Sequence, residues 1–160
     1  MGFDTVRAFL QERAPDIAII DQGASTATVA EAAATLGVLP GQIAKTLSVR
    51  IGGEALLIVA RGDARLDNRK TKAAFGSRPR MLGAEEVAAL TGHPIGGVCP
   101  FALATPLPVY CDVSLRAFAE VFPAAGSTTS SVRITPNRLA LLVGARWVDV
   151  CEGPRETVAE

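Results

Sequence analysis

A single histidine (His93), a single tryptophan and a single tyrosine serve 160 residues, and only 5% of the chain is aromatic. One histidine excludes a His-rich metal centre and a two-histidine proton relay. So few aromatic rings argue against base stacking as the main mode of binding a nucleic acid. Cysteine is scarce too: Cys99, Cys111 and Cys151 are odd in number and widely spaced, which fits neither a disulfide framework nor a CxxC metal site and suggests buried thiols. GxSxG, HExxH and P-loop motifs are missing, and no GxGxxG follows a strand. The N-terminal stretch MGFDTVRAFLQERAPD has no basic segment leading into an apolar run, so no secretory signal is expected and the cytoplasm is the expected compartment.

Charge is missing locally. Residues 93–111, HPIGGVCPFALATPLPVYC, contain no Asp, Glu, Lys or Arg, yet Gly96, Gly97 and four prolines (Pro94, Pro100, Pro106, Pro108) interrupt them. So many breakers exclude a spanning helix and a central strand. The segment reads as a hydrophobic surface loop or as a pocket wall, in which amides near Gly97 and Val98 are aimed at an anionic oxygen.

What is present describes one domain over residues 1–160, with 49% hydrophobic side chains and 16 basic balanced by 16 acidic groups. Short helices alternate with short strands, which predicts an α/β fold with a mixed β-sheet and surrounding helices. The spacing predicts helices near 3–13, 29–36, 68–75 and 84–91, and a last one that begins behind Thr135 and Pro136 and stops at Gly144. Thr28 and Glu31 have capping-box spacing at the start of the second helix. Strands are expected at 17–20, 79–82, 107–112, near 120–125, at 131–134 and at 147–151. Residues 43–51 and 54–60 read as a hairpin around Gly52-Gly53, with ALLIVA apolar enough for a central strand.

Within the hairpin, alternation puts Lys45 on the face of Ile43, Leu47, Val49 and Ile51. A lysine on an apolar face must snorkel out, pair with a carboxylate, or line a cavity that receives an anion. Charge is also uneven: residues 61–80 carry seven basic groups against Asp63 and Asp67, so this stretch is +5 and the rest of the chain −5. The patch is either a solvated face or a surface that attracts a nucleic-acid backbone. Cys99, with His93 as base, is the one candidate nucleophile, against a buried thiol. Ser127 to Ser131 follow Gly126 in AAGSTTSS, which has the composition of a turn.

Taken in order, STxTxxEAA (from Ser25), IAKTL with Lys45, RLDNRK, TGHPIGGVCPF, TPLPVYCD, AAGS and TPNRLALL resemble the YbaK and prolyl-tRNA synthetase editing-domain family, over nearly the whole chain. The resemblance implies a mixed sheet with helices around it. It implies a free-standing trans-editing deacylase that hydrolyses mischarged tRNA, chiefly tRNA(Pro), with no metal or cofactor, and prolyl-tRNA synthetase is expected as a transient partner. By that likeness Lys45 is the key lysine, Gly96, Gly97, Val98 and Pro100 belong to a GxxxP loop, and Gly126 is the glycine of a second loop.

On this reading the amides of residues 96–101 stabilise the tetrahedral oxygen, and Lys45 holds the terminal nucleotide. Thr28, Thr46, Cys99, Phe101, Gly126 and Ser127 are the expected substrate contacts, and Arg65, Arg69, Lys70 and Lys72 the expected tRNA contacts. The chain departs from the family at Ala102-Leu103, where relatives commonly continue with glycine. Among small amino acids, the STxTxxEAA and TPLPVY segments favour alanine or 2-aminobutyrate ahead of cysteine, serine or threonine. The competing reading is a tRNA-binding or interaction module of the same fold without hydrolysis.

Overall fold

The computed structural model describes residues 2–154, so the outermost ends of the expected 1–160 domain lie outside the described residues. The elements in chain order are α1 (Gly2–Arg13), β1 (Ile19–Asp21), α2 (Val29–Leu36), β2 (Ile43–Ile51), β3 (Glu54–Arg61), β4 (Arg65–Leu66), α3 (Asn68–Phe75), β5 (Arg80–Met81), α4 (Ala84–Thr91), β6 (Val109–Asp112), β7 (Phe122–Pro123), β8 (Ser130–Val132), α5 (Pro136–Val143), β9 (Arg146–Val148) and β10 (Cys151–Glu152). Helix boundaries follow local chemistry. Thr28, Asp67 and Thr135 each accept an N–H three residues on, and Gly37, Gly76, Gly92 and Gly144 close helices in the left-handed conformation.

The main sheet runs β5-β2-β3-β6-β9, with β7 added beside β2. It is mixed: β2 pairs antiparallel with β3 and β5 but parallel with β7, and β3–β6–β9 are parallel. β3 is the central strand expected of ALLIVA, buried from Leu56 through Ala60. Its two faces feed two cores. Leu57 and Val59 join Ala44 of β2, Val6 and Leu10 of α1, Leu139 of α5 and Phe101, whereas Leu56, Ile58 and Ala60 pack with Val49, Ile51, Val150 and Cys151. Among the described residues no helix is long and apolar enough to cross a membrane.

Two strand expectations needed revision. Pairing after the glycine-rich loop starts at Val109 rather than at residue 107, since Pro106 and Pro108 have no N–H to donate; Pro108 contributes only its carbonyl, to Leu57 N–H at 3.0 Å. The run 147–151 is not one strand. β9 joins the main sheet, β10 pairs with β4 in a separate ribbon, and between them the chain turns to the buried Asp112, whose carboxylate accepts Val150 N–H at 2.8 Å and Cys151 N–H at 3.2 Å.

Ala102 adopts φ +51°, the only positive φ at a non-glycine residue among the described residues. The departure from glycine therefore falls where the backbone favours glycine. Ala102→Gly is expected to stabilise the fold by a few tenths to about 1 kcal/mol, with loss of the packed methyl offsetting part of the gain. Chemical denaturation checks this, and an unchanged or lower stability would mean that the methyl outweighs the strain.

Candidate functional site

β7 pairs with β2 at Ile43 and Ala44, and β5 pairs with it at Val49 and Arg50. Residues 45–48 therefore have a strand on one side only, and a cavity of about 250 Å³ occupies the opening. Main-chain groups along a strand point alternately to either side. Ser48 C=O faces the gap, where it accepts Leu82 N–H at 3.0 Å, so Thr46, two residues back, turns its own N–H and C=O the same way.

The remaining walls come from three loops. Thr26 to Val29 enter from the start of α2, Ile95, Gly96 and Val98 from the glycine-rich loop, and Ala124 and Ser131 from the chain around β7 and β8. The loops are tied to one another: Thr26 N–H and Oγ1 both donate to Thr128 O, at 2.7 and 3.2 Å, and Gly126 N–H donates to Gly97 O at 3.1 Å. Gly96 holds φ +88°, and a Cβ there would lie 2.9 Å from Ala27 Cβ. At Gly97 it would lie 2.7 to 2.8 Å from the main chain of Ser127. Glycine at 96 and 97 is thus required for the loops to meet.

Lys45 borders the cavity, but among the described residues it pairs with no carboxylate, and main-chain carbonyls serve its ammonium instead. Its Nζ donates to Gly62 O at 3.1 Å and to Ala64 O, across the turn between β3 and β4. That turn is braced by Arg61, whose guanidinium grips Asp63 at 2.5 and 3.0 Å and stacks on Phe118. Burial pulls the Lys45 ammonium below the usual lysine range, opposed in part by the nearby Asp63 carboxylate. An ammonium has three donors, so one remains uncommitted after the two carbonyls are served.

Of the other expected site residues, Thr28, Thr46, Gly96 and Val98 line the cavity. Cys99 and Phe101 do not: both are fully buried in the larger core, and Pro100 is buried beside them, because the loop turns inward there to anchor itself. The Gly97 amide is not aimed at the cavity either, as it donates to Pro94 O at 2.9 Å; among the described residues the Gly96 and Val98 amides have no protein acceptor. Gly126 and Ser127 support the glycine-rich loop from behind, and Ser127 Oγ bonds to Ser130 Oγ at 2.6 Å. Sequence reasoning missed Ser48, Ser131 and Phe122 as lining residues. Ser48 was reachable, since it alternates with Thr46 on one strand, but Phe122 and Ser131 enter only through tertiary pairing.

The basic stretch is partly committed elsewhere. Lys70 bonds to Asp149 at 3.1 Å and to Cys151 O at 3.0 Å, and Arg65 pairs with Glu152 at 3.1 Å. Arg69 and Lys72 are exposed, and neither forms an ion pair among the described residues.

A thiol nucleophile is disfavoured by the same geometry. Burial pushes the Cys99 thiol up to about 12. His93 Nε2 lies 2.7 Å from Phe101 O and 3.5 Å from Cys99 Sγ, so the ring bears its proton on Nε2 and donates it to the carbonyl, leaving no lone pair there to accept the thiol proton. Cys99→Ser is expected to keep hydrolysis within about threefold of the parent. A well-folded but inactive variant, or a trapped acyl thioester, would restore Cys99 as nucleophile.

Comparison with known proteins bears on this arrangement. The model of the family described as "Aminoacyl-tRNA editing domain" matches residues 24–142. The Bacillus subtilis protein YwhH is 45% identical over 154 residues, covering 95% of this chain and 98% of YwhH. A crystal structure described as that of "a putative trans-editing enzyme for prolyl tRNA synthetase" superposes with a TM-score of 0.85 at 37% identity, covering 95% of this chain and 98% of the other. The proline–tRNA ligase of Bacillus licheniformis is 30% identical over 105 residues, which are 65% of this chain but 18% of the ligase.

Proposed function

The chain belongs to the aminoacyl-tRNA editing-domain family, and from that premise we propose that it hydrolyses the ester of a tRNA mischarged with a small amino acid, acting in trans on tRNA(Pro). The observation that carries this reading is the cavity of about 250 Å³ that Lys45 and the glycine-rich loop both border, where the Gly96 and Val98 amides have no protein acceptor among the described residues. An ester of a terminal ribose needs a water nucleophile, a site for the developing oxyanion and fixed placement; it needs no strong protein base, because a neighbouring ribose hydroxyl assists. The Gly96 and Val98 amides take the oxyanion, and the third donor of Lys45 holds a phosphate or hydroxyl of the terminal nucleotide. Likeness to an 18% portion of a proline–tRNA ligase supports tRNA(Pro) as the carrier.

Such an activity corrects an error that a synthetase pocket cannot avoid, since one methylene discriminates by only about 1 to 3 kcal/mol. The sequence segments rank alanine and 2-aminobutyrate first among the amino acids removed. Arg69 and Lys72 dock the tRNA backbone, with Arg65 and Lys70 close by, so the rate at limiting tRNA falls as salt is raised. The test is to incubate the purified protein with tRNA(Pro) carrying each of several small amino acids. Ester loss supports the deacylase, whereas tight binding with intact ester supports the interaction module.

A further inference from the structure

Among the described residues the walls of the cavity carry no carboxylate. Lys45, a cation, is the one ionisable group in the lining, and β7 and β8 contribute none. Carboxylates on the surrounding elements are engaged elsewhere: Glu31 of α2 accepts Ser25 Oγ–H at 2.9 Å, Glu86 of α4 pairs with Arg50, and Asp63 is gripped by Arg61. In the glycine-rich loop His93 is buried on Phe101 O, and β5 adds only the exposed Arg80. With the Gly96 and Val98 amides also lacking a protein acceptor, the space is electropositive. An aminoacyl ester brings a positive group of its own. An α-amino group titrates at about 8 or below, so in neutral solution much of the substrate is an ammonium, and no acidic side chain here offsets its desolvation.

The open stretch of β2 offers a different match. Thr46 N–H, Thr46 C=O and Ser48 N–H face the gap in that order, and none has a main-chain partner among the described residues. Thr46 is half-buried although its hydroxyl is closed off, so its main chain and methyl are what meet the cavity. The edge thus presents an acceptor flanked by two donors. A neutral amine donates through N–H and accepts through its lone pair, which suits both kinds of group. An ammonium only donates, and it would meet the two N–H groups with no lone pair to offer.

We propose that the substrate is taken with its α-amino group uncharged, docked on the main chain of Thr46 at the open edge of β2. The proposal rests on the deacylase reading for the ester, and it adds a requirement on the state of the substrate that holds whichever side chain is removed. Protonating the amine removes its lone pair and sets a second cation beside Lys45, so binding weakens as pH falls.

The test compares tRNA(Pro) carrying alanine with tRNA(Pro) carrying lactate, where a hydroxyl that donates, accepts and does not titrate replaces the amine. Titrations of the protein itself, Lys45 and His93 included, act on both esters and cancel in the ratio of kcat/KM. The alanyl-to-lactyl ratio is expected to rise about tenfold between pH 5.5 and 6.5 and to level off above about pH 8. Binding supplies a readout without hydrolysis: an acceptor minihelix bearing alanine through a non-hydrolysable 3′-amide is expected to gain about tenfold in affinity over the same interval, relative to its lactyl counterpart. Replacing Thr46 by its α-hydroxy acid analogue puts an ester oxygen where the N–H stood and leaves the pairing with β3 in place. That variant is expected to bind the alanyl minihelix about three- to tenfold more weakly at pH 8, with little change in Tm. A ratio that does not vary with pH, or that falls as pH rises, overturns the proposal, as does unchanged affinity in the folded ester variant. If no ester is hydrolysed, the deacylase reading fails by itself, and the two binding measurements still decide how the amine is held.

Discussion

Replacing Lys45 by alanine is expected to lower kcat for deacylation about a hundredfold or more while the protein stays folded. The magnitude is that of removing one preorganised donor from a reacting site. Beside this proposed role Lys45 has a structural one, since its Nζ donates to Gly62 O and Ala64 O. Its loss therefore costs about 1 kcal/mol of stability through two carbonyls that water must take over. Lys45→Met separates the functions further, because it keeps the apolar stem and removes only the charged donors. Single-turnover rates beside thermal melts make the comparison. Near-normal hydrolysis in a folded Lys45→Met protein would take Lys45 out of the mechanism.

Gly126→Ala is expected to be strongly destabilising. Gly126 has φ +90°, and a Cβ there would sit 2.6 Å from both C and O of Gly2 and 2.9 Å from Phe3 N. These are main-chain atoms of α1, which cannot swing aside as the end of a side chain can. A strained φ and forced overpacking each cost about 1 to 3 kcal/mol, so a loss of about 3 kcal/mol or more is expected, with Tm falling by roughly 6 to 12 °C. Activity should fall too, since Gly126 N–H holds Gly97 O and so the loop that walls the cavity. Gly53→Ala is the control: its φ is similar, +85°, but nothing lies within 4 Å of the added methyl. Equal losses in the two variants would show that backbone conformation, and not the crossing of α1, sets the requirement for glycine.

The helices were legible because caps and stops are local. Thr28 to Glu31 and Thr135 to Arg138 are contacts across three residues. Lys45 was legible as an anomaly on an apolar face, which alternation alone reveals. Its partners were not, because Gly62 and Ala64 reach it through a turn at the far end of the next strand. The glycine-rich loop was read as a wall, and Gly96 and Val98 do line the cavity, but which amides are free depends on the Pro94 to Gly97 turn. Likewise the gap beside Thr46 belongs to no residue. It exists because β7 and β5 each pair with β2 for two residues and stop, and only the assembled sheet contains it. The division of residues 147–151 between two sheets depends on Asp112, far back in the sequence, in the same way.

The three buried thiols give the chain a clock. Burial pushes Cys99, Cys111 and Cys151 each up to about 12, and alkylating reagents attack the thiolate, so at mildly alkaline pH the native molecule resists labelling until it opens. The positions differ in depth. Cys151 pairs with Leu66 in the two-stranded ribbon, Cys111 lies between β3 and β9 in the main sheet, and Cys99 anchors the wall of the cavity. Labelling rates followed cysteine by cysteine thus distinguish peeling of the ribbon and release of the loop from collapse of the sheet, and they rank the parts of the molecule by how often each opens.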